Sequence, residues 1–539
     1  MRPGVNEEVG RAEARAAGDR VGREHELSRR ELLIAAGALG SGALLAGCGA
    51  GSSASSRVVG PHSPAVAALE AGRPRTGRTH HYLLTPKPTL IDIGGRVVDT
   101  WAYGDAVPGP LIRARPGDEL RIQVKNALPA ETSVHWHGVA VDNPMDGVPP
   151  FTQQPIPRGR GMLYHYVVPD AGTYWYHPHV GLQLDRGLYG PLLIDDPSDR
   201  GRYDVEFVVV LDDWIDGING QTPESVYATL RARGSHMGSG TGMGSGTGMG
   251  MGTSGMSSMT PSTGSSSSPL GRAPADVLYP YYLINGRVAT APVTLSARPG
   301  QRARIRFINS AASTAFRVAL GEHRMTVTHT DGYPVQPVVV DNLVIGMAER
   351  YDVTVTLADG AFPLVALPLG ATGQAMAVVR TAKAATPKPT DRPAALKGRM
   401  LATDLSDLAA TPAMRLSARA PDVTHDVVLS GGMGGGFRWT INGRAYPKYQ
   451  PLEVHQGQRA RLRLRNHSMM FHPIHLHGHT FQVRTGPSGS GPRKDTVNVL
   501  PMQTVTIDLQ ANNPGQWVIH CHNLYHQQAG MMSLLSYRA

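Results

Sequence analysis

The sequence HCHNLYHQQAGM, residues 520–531, lies close to the C-terminus and places Cys521, one of the chain's two cysteines, directly between two histidines. Successive side chains on a β-strand point to opposite faces. If residues 520–522 form a strand, the sulfur of Cys521 faces one way and the imidazoles of His520 and His522 face the other. The stretch therefore predicts a strand with two chemically different faces.

Three upstream segments also contain histidines two residues apart: HWH at 135–137, HPH at 177–179 and HPIHLH at 472–477. A single such pair is usually an ordinary surface or core feature, but four pairs in one chain are not expected by chance. Residues two apart on a strand share a face, so each pair can present two imidazoles side by side. Imidazole binds Cu, Zn, Fe and Ni, so the pairs alone do not select a metal.

The stretch around Cys521 does select a metal. A thiolate, two imidazoles and a long axial thioether form the ligand set of a blue-copper site. Cys521, His526 and Met531 supply three of these ligands, and His472 can supply the fourth. Metals on the two faces of the strand would be joined through a few covalent bonds, at a separation on the order of 10 Å. The alternative, a buried inert cysteine, does not account for the flanking histidines.

Composition narrows the class of protein. A chain of 539 residues is too long for one compact domain and predicts about two to four. The 63 glycines and 42 prolines, with few long helical patterns, indicate many short strands and turns. The net charge of +10 would admit nucleic acid as a partner, but no basic stripe is interleaved with aromatic residues. We expect a solvated basic surface and no nucleic-acid partner.

The first 47 residues are typical of an export signal. Ser28-Arg29-Arg30 is a twin-arginine start, and the apolar run 32–47 is too short for a comfortable permanent membrane span. The ending Leu45-Ala46-Gly47-Cys48 resembles a bacterial lipobox, which predicts cleavage before Cys48 and lipidation of its thiol. The predicted location is the cell envelope, anchored by lipid to the outer face of the cytoplasmic membrane. An uncleaved anchor helix or a plain signal peptide remains the alternative.

The rest of the chain divides into a tether and three domains. A Gly-, Ser-, Ala- and Pro-rich stretch, 48–78, is predicted to be a flexible tether. Three segments with alternating apolar residues follow, at 79–196, 197–390 and 391–539. Each contains a similar turn-and-strand sequence, at 115–126, 298–309 and 456–466. One structural unit used three times, as antiparallel sandwiches, is the simplest interpretation.

A low-complexity insert at 234–265 interrupts the second domain. It consists mostly of Gly, Ser, Thr and Met, has no apolar periodicity, and is predicted to be disordered without a ligand. Soft thioethers suit Cu(I), so the methionines are candidates for copper capture. A plain linker in which methionine is incidental is the alternative.

Together, these motifs resemble those of the three-domain multicopper oxidases, which include laccases and bacterial cuprous oxidases. The resemblance is strongest to the actinobacterial copper-resistance lipoprotein oxidases, and it extends from about Arg78 to the C-terminus. It implies an all-β fold of three consecutive cupredoxin-like Greek-key β-sandwich domains. It also implies a trinuclear copper cluster between the first and third domains.

The resemblance further implies four copper ions, one of type 1, one of type 2 and a type 3 pair. Matching the motifs residue by residue gives these ligands: His472, Cys521, His526 and axial Met531 for type 1; His135 and His475 for type 2; His137, His177 and His522 for one type 3 copper; and His179, His477 and His520 for the other.

The implied reaction is four one-electron oxidations at the type 1 copper, coupled to reduction of O2 to two waters at the cluster. Reduction of O2 consumes protons, and the resemblance indicates Asp146 of Met145-Asp146-Gly147 as the acid near the cluster. A turn-capping role for Asp146 is the alternative. Many relatives carry a glutamate directly after the last type 1 histidine. Gln527 stands there instead, and an amide cannot relay protons as a carboxylate does.

The electron donor is the least determined part of the prediction. Met470 stands where enzymes resembling the enterobacterial cuprous oxidase carry a methionine, but their acidic residue two positions earlier is Ser468 here. We expect Cu(I) as the physiological donor, with Fe(II) and phenols as side substrates that need only reach an exposed imidazole edge. A laccase-like phenol oxidase and a copper-binding or storage lipoprotein are the alternatives. The enzyme is expected to be a monomer.

Overall fold

The computed structural model describes residues 57–199, 201–237, 268–432, 436–486 and 489–539. The predicted signal segment, Cys48 and the predicted insert from residue 238 onward lie outside these ranges. Within them, no helix has the length and apolar character that crossing a membrane requires.

The first domain is built from nine strands in three small sheets. The sheet orders are β1-β5-β7, β2-β3 and β4-β9-β8-β6. The strands are β1 Thr79–Leu84, β2 Pro86–Asp92, β3 Val97–Tyr103, β4 Ile112–Ala114, β5 Glu119–Lys125, β6 His135–His137, β7 Gly161–Val167, β8 Gly172–His177 and β9 Gly190–Ile194.

The second domain contains two larger sheets, with orders β12-β11-β10-β14-β19-β16-β17 and β13-β21-β20-β15-β18. Its strands are β10 Val205–Trp214, β11 Tyr281–Ile284, β12 Arg287–Val288, β13 Thr294–Ser296, β14 Arg302–Asn309, β15 Phe316–Leu320, β16 Met325–Thr330, β17 Tyr333–Val340, β18 Leu343–Ile345, β19 Arg350–Thr356, β20 Ala361–Pro368 and β21 Ala375–Arg380.

The third domain also has two sheets, ordered β23-β22-β25-β30-β27-β28 and β24-β32-β31-β26-β29. Its strands are β22 Val423–Gly431, β23 Trp439–Ile441, β24 Leu452–His455, β25 Arg459–Asn466, β26 His472–Leu476, β27 Phe481–Val483, β28 Arg493–Lys494, β29 Thr496–Val499, β30 Thr504–Gln510, β31 Gln516–Cys521 and β32 Met532–Arg538.

The three domains repeat one local arrangement. Strands β5, β14 and β25 follow the three similar turn sequences. Each pairs in parallel with an earlier strand of its own domain and in antiparallel fashion with a later one. Inward-facing apolar residues alternate along these strands, as in Leu120, Ile122 and Val124, which are fully buried. The strand-dominated structure confirms the predicted all-β fold.

Helices are few and short in the ranges that the structure describes. The α-helices are α1 Pro64–Ala71, α2 Pro223–Met237 and α3 Leu524–Gln528, and the 3-10 turns are Asn143–Met145, Gln183–Asp185, Pro197–Asp199, Ala394–Lys397 and Pro412–Met414. The first residues of the predicted insert, 234–237, form the end of α2.

The predicted flexible tether is wrong from residue 57 onward. Val58 forms a bridge with Arg538 of β32, and the side chain of Ser63 caps α1. Val59 and Val66 are buried against the rest of the protein. A Gly-, Ser- and Pro-rich composition indicates a segment for which the entropy cost of ordering is hard to offset. It does not show that Val59 and Val66 are buried, and this burial stabilises the ordered state.

Candidate metal centre

Two strand pairs, one in the first domain and one in the third, carry most of the histidine motifs. In the first domain β6 pairs with β8, so that His135 lies opposite His177. In the third domain β26 pairs with β31, so that His475 lies opposite His520 and Ile474 opposite Cys521. Because pairing is in register, the alternation predicted for residues 520–522 places histidines from separate motifs on a shared face.

The histidines of the first and third domains meet in one buried cluster. The rings of His135 and His477 stack with centroids 3.8 Å apart, and those of His137 and His475 with centroids 3.7 Å apart. The Nε2 atoms of His477 and His520 are 3.1 Å apart. We call the eight imidazoles the histidine cluster; its members are His135, His137, His177, His179, His475, His477, His520 and His522.

On the other face of β31 lies a separate three-residue site. The sulfur of Cys521 is 3.6 Å from Nδ1 of His472 and 3.6 Å from Nδ1 of His526. These two nitrogens are 3.1 Å apart, and all three residues are fully buried. Met531 is also fully buried, and its backbone carbonyl accepts a hydrogen bond from the Cys521 N–H. We call this group the thiolate site.

Hydrogen bonds orient the imidazoles and leave one nitrogen of most rings without a partner. Backbone carbonyls contact Nδ1 of His135, His177, His475 and His520 at 2.8 to 2.9 Å. The buried nitrogens with no hydrogen-bond partner include Nε2 of His135, His177, His179 and His475, Nδ1 of His137 and both nitrogens of His522.

Unpartnered buried nitrogens are costly unless they bind something. Orientation of a ligating imidazole through its other ring nitrogen is the usual arrangement at metal sites. Four groups of three histidine or cysteine ligand atoms lie within 4.8 Å of one another, and one of them is His472, Cys521 and His526. The donor set of a thiolate and imidazoles fits copper.

The protonation states also suit metal binding. Burial, with repulsion between neighbouring imidazoles, lowers the pKa of eight of these histidines, so they are neutral ligands: His137, His177, His179, His472, His475, His477, His520 and His522. Burial raises the pKa of the Cys521 thiol, so binding a metal as thiolate releases a proton.

Asp146 lies beside the histidine cluster, as expected from its motif. Its carboxylate is 3.0 Å from Nδ1 of His477 and 3.2 Å from Nδ1 of His135. It is fully buried and follows the 3-10 turn Asn143–Met145. The carboxylate therefore contacts two predicted copper ligands that belong to different domains.

Sequence reasoning missed two carboxylates in contact with candidate ligands. Asp495 is fully buried and 3.1 Å from Nε2 of His137. Burial alone would raise the pKa of Asp495, but the charge and hydrogen bonds of Arg350 hold it well below its usual range. Asp276 accepts a 2.6 Å hydrogen bond from Nε2 of His526. Neither lies in a histidine motif, so no spacing pointed to it.

Met470 lies partly buried beside the thiolate site, two residues before His472. The hydroxyl of Ser468, which stands where some relatives carry an acid, is 2.7 Å from Nε2 of His472. Ser468 thus contacts the outer nitrogen of a candidate ligand.

Gln527 lines a cavity of about 380 Å³ that reaches His179 of the histidine cluster. Glu131 and Tyr446 line the same cavity. Gln527 therefore places an amide, and not a carboxylate, in a cavity that reaches the histidine cluster.

Eleven of the twelve predicted copper ligands place their side chains in one of these two buried groups, and the twelfth, Met531, is buried and bonded through its backbone to Cys521. The thiolate site brings together His472, Cys521 and His526, and one further group joins His179, His477 and His520, the three residues that the resemblance assigns to one type 3 copper. Another group joins His135, His137 and His177, which the prediction divides between two ions. The division of the histidine cluster among individual coppers stays a prediction.

Comparison with known proteins gives the family. Three family models, each described as multicopper oxidase, match residues 87–199, 257–386 and 419–538. The chain is 48% identical to the multicopper oxidase MmcO of Mycobacterium tuberculosis, over 95% of this chain and 97% of the relative. It is 29% identical to a copper resistance protein A homolog of Pseudomonas syringae pv. tomato, over 87% of this chain and 94% of the relative.

Solved structures agree with this comparison. The laccase from Botrytis aclada is 25% identical with a TM-score of 0.69, and the match covers 87% of this chain and 89% of the laccase. Fet3p, a multicopper oxidase that functions in iron import, shares the fold at 22% identity with a TM-score of 0.68, covering 85% of this chain and 90% of Fet3p. The chain belongs to the multicopper oxidase family and is a copper-dependent oxidoreductase.

Proposed function

We propose that this enzyme is a cuprous oxidase in copper detoxification, coupling four one-electron oxidations of Cu(I) to the reduction of O2 to two waters. The observation that carries the coupling is the backbone connection at Cys521. Its sulfur belongs to the thiolate site, and its neighbours His520 and His522 belong to the histidine cluster. The thiolate site, which would take electrons from the donor, is thereby connected through one short stretch of strand β31 to the histidine cluster, where O2 would be reduced.

The residues would divide the work between the two sites. His472, Cys521, His526 and Met531 would hold one copper, and the histidine cluster would hold three. When bound, the coppers supply the one-electron transfers and the four-electron reduction of O2. The protein holds the ligands in place, since Asp276 accepts the outer N–H of His526 and Asp146 contacts the Nδ1 atoms of His477 and His135.

Exposed methionines on the loops before and after the paired strands β26 and β29 support Cu(I) as the donor. Met469 is 48% exposed and Met502 is 67% exposed. The side-chain amide of Asn466 joins their two loops, since it donates to the carbonyls of Met470 and Leu500 at 2.6 and 3.1 Å. Thioethers are soft ligands suited to Cu(I), so Met469, Met470 and Met502 form a candidate entry surface for this substrate.

A phenol oxidase remains the second candidate because laccases are among the relatives, including Laccase-4 of Thanatephorus cucumeris at 28% identity. However, both imidazoles of the thiolate site are fully buried, so the expected exposed imidazole edge is absent from the described structure. Asp276 is the polar link from His526 towards solvent, with a side chain that is 10% exposed. Oxidation of phenols or Fe(II) would therefore proceed by way of Asp276, as a side activity.

Measurement of O2 uptake with Cu(I) and with a phenol separates these functions. The variant with leucine at positions 469, 470 and 502 should raise KM for Cu(I) about tenfold, the effect of about 1.4 kcal/mol of lost binding. Its kcat/KM for the phenol should change much less. The matched control is Met162→Leu, a half-buried methionine on β7 of the first domain. Equal losses with both donors would contradict a methionine entry surface. O2 uptake with the phenol but not with Cu(I) would leave a phenol oxidase, and O2 uptake with neither donor would leave a copper-storage protein.

Described residues that flank the methionine-rich insert on both sides lie near the same region. Tyr227 of α2 donates a hydrogen bond to the Gln528 carbonyl and stacks with Tyr525. On the other side of the insert, Leu270 packs in one apolar group with Phe471. Deletion of residues 238–265, which keeps α2, should raise KM for Cu(I) more than KM for a phenol. An equal effect on both would reduce the insert to a spacer.

We also propose export by the twin-arginine route and a lipid anchor on Cys48, as the sequence motif suggests. The substitution Cys48→Ala should release the enzyme from the membrane fraction of cells. A membrane-bound Cys48→Ala variant would point to an uncleaved anchor instead.

A further inference from the structure

The middle domain supplies no predicted copper ligand, yet one of its arginines forms an ion pair with Asp495, the carboxylate that contacts His137 of the histidine cluster. Arg350 is the first residue of β19 and is fully buried. Its Nη1 and Nη2 donate to the two carboxylate oxygens of Asp495 at 2.8 and 2.5 Å. Its Nε donates to the carbonyl of Thr173 on β8, the first-domain strand that ends at His177. Arg350 thus connects all three domains.

Asp495 transmits this contact to two candidate ligands. Its carboxylate oxygen Oδ1 accepts from Nε2 of His137 at 3.1 Å, and its backbone carbonyl accepts from Nδ1 of His475 at 2.9 Å. Nδ1 of His137 is left without a hydrogen-bond partner, as is Nε2 of His475. The orientation of both imidazoles therefore depends on where Asp495 lies.

A second middle-domain residue holds the same segment. Oδ2 of Asp331 accepts the backbone N–H groups of Asp495 and Thr496 at 3.2 and 3.1 Å, and Oδ1 accepts the N–H of Arg350 at 3.0 Å. Lys494 forms buried ion pairs with Asp331 and Glu349. The middle domain thus holds the segment 494–496 through hydrogen bonds to its backbone and through ion pairs with its side chains. Burying these charged groups carries a considerable desolvation cost.

We propose that Arg350 is a positioning residue for the histidine cluster: its two-point ion pair with Asp495 fixes His137 and His475 in the orientation that binds copper. The middle domain would therefore control the copper affinity of a cluster to which it gives no ligand. This inference rests on copper binding by His137 and His475. It does not depend on the identity of the electron donor.

The substitution Arg350→Met tests the role with the intact copper-loaded enzyme. Loss of an outer partner typically weakens metal binding about 10- to 100-fold. During dialysis against a copper chelator, we expect copper to leave the histidine cluster while the intense visible absorption of the thiolate site persists. The electron paramagnetic resonance signal of the type 2 copper should shift. These readouts require no turnover, so they stand apart from the test of the Cu(I) oxidase function.

Arg306→Met is the matched control. Arg306 is also a buried middle-domain arginine that reaches the first domain, through a 2.8 Å hydrogen bond to Thr173, but its ion pairs are with Glu206 and Asp352. We expect it to lower the unfolding temperature without releasing copper. Full copper content and an unchanged resonance signal in Arg350→Met, or equal copper loss in both variants, would overturn the proposal.

Removing Arg350 leaves Asp495 as a buried unpaired charge, which could prevent folding. Arg350→Lys keeps the charge but not the two-point geometry, so it tests the proposal in a folded protein. It should bind cluster copper more weakly than the wild type and keep the visible absorption. Wild-type affinity for all the coppers in Arg350→Lys would refute a positioning role.

Discussion

At the scale of single residues, Asp146 shows how one carboxylate can serve two domains. It contacts the Nδ1 atoms of His135 and His477, and the substitution Asp146→Asn replaces one of its oxygens with an amide group that faces an imidazole N–H. We expect O2 turnover to fall about 10- to 100-fold while the visible absorption of the thiolate site is unchanged. Steady-state O2 uptake and a visible spectrum measure the two effects.

The control for Asp146 is Asp142→Asn, because Asp142 is buried just before the same 3-10 turn. Burial raises the pKa of Asp142 to about 6. Asp142→Asn therefore also replaces a carboxyl group that lies in the protein interior. Turnover at the wild-type rate in Asp146→Asn, or an equal loss in Asp142→Asn, would remove Asp146 from the reaction.

His479 offers a test of pH dependence. It lies 2.6 Å from the Tyr537 hydroxyl and 3.1 Å from the His477 carbonyl, and burial lowers its pKa to about 4. An unfolded histidine has a pKa of about 6.5. As the pH falls between these two values, the unfolded chain takes up a proton that the folded chain does not. The free energy of unfolding therefore falls, by on the order of 3 kcal/mol from this residue.

His479→Gln keeps a donor and an acceptor and should make that pH slope shallower. Urea unfolding of the copper-free protein between about pH 7 and about pH 4.5 measures the slope. The comparison variant is His455→Gln, at the exposed end of β24. If both variants change the slope equally, burial of His479 is not its cause.

At the scale of elements, the turn after β6 must leave room for the ion pair of Arg350. Gly138 has φ +85°, and a Cβ there would lie 2.6 Å from Oδ2 of Asp495 and even closer to Nη2 of Arg350. We expect Gly138→Ala to lower the copper content of the histidine cluster and the unfolding temperature. Elemental analysis and thermal unfolding measure both.

Gly300→Ala separates the clash from backbone strain. Gly300 has φ +78° and open space around the position of a Cβ. Both variants carry left-handed strain on the order of 1 kcal/mol, so their difference reports the contact with Arg350 and Asp495. Equal copper content in the two variants would contradict the steric explanation.

The strands and the eight residues of the histidine cluster were accessible to sequence reasoning because both obey a period of two, whereas His472, His526 and Met531 were identified by the ligand set that accompanies Cys521. Alternation around Cys521 predicts two faces, and the register of β26 with β31 realises them. The contact between His137 and Asp495 spans 358 positions and joins two domains, so no local period reveals it. The same reason hides Arg350 and Asp276. Their partners are determined by how the domains dock.

At the scale of the whole molecule, copper should stabilise the assembled protein. The histidine cluster joins the first and third domains and buries unpartnered ring nitrogens when no metal is bound. A ligand that binds only the folded state stabilises it by about 4 kcal/mol per site when free at about 1,000 times its Kd. We expect chelator-treated enzyme to unfold at a lower temperature than loaded enzyme, measured by circular dichroism.

Adding copper back should restore the unfolding temperature, and less completely as the pH falls, because imidazole and thiol must lose protons to bind. The variant Cys521→Ser should recover only part of the increase, since it retains the histidine cluster. An unfolding temperature that is the same with and without copper would show that copper does not stabilise the association of the first and third domains.

The alternation of His520, Cys521 and His522 along β31 also constrains how this gene can vary. An insertion or deletion of one residue in the turn at 511–515 that shifts β31 by one position would reverse its two faces. The Cys521 side chain would then point towards the histidine cluster, and the imidazoles of His520 and His522 would point towards the thiolate site. Loops elsewhere on the surface can lengthen at little cost. Here, one added or deleted residue would disrupt both metal sites although every ligand residue is still present in the sequence.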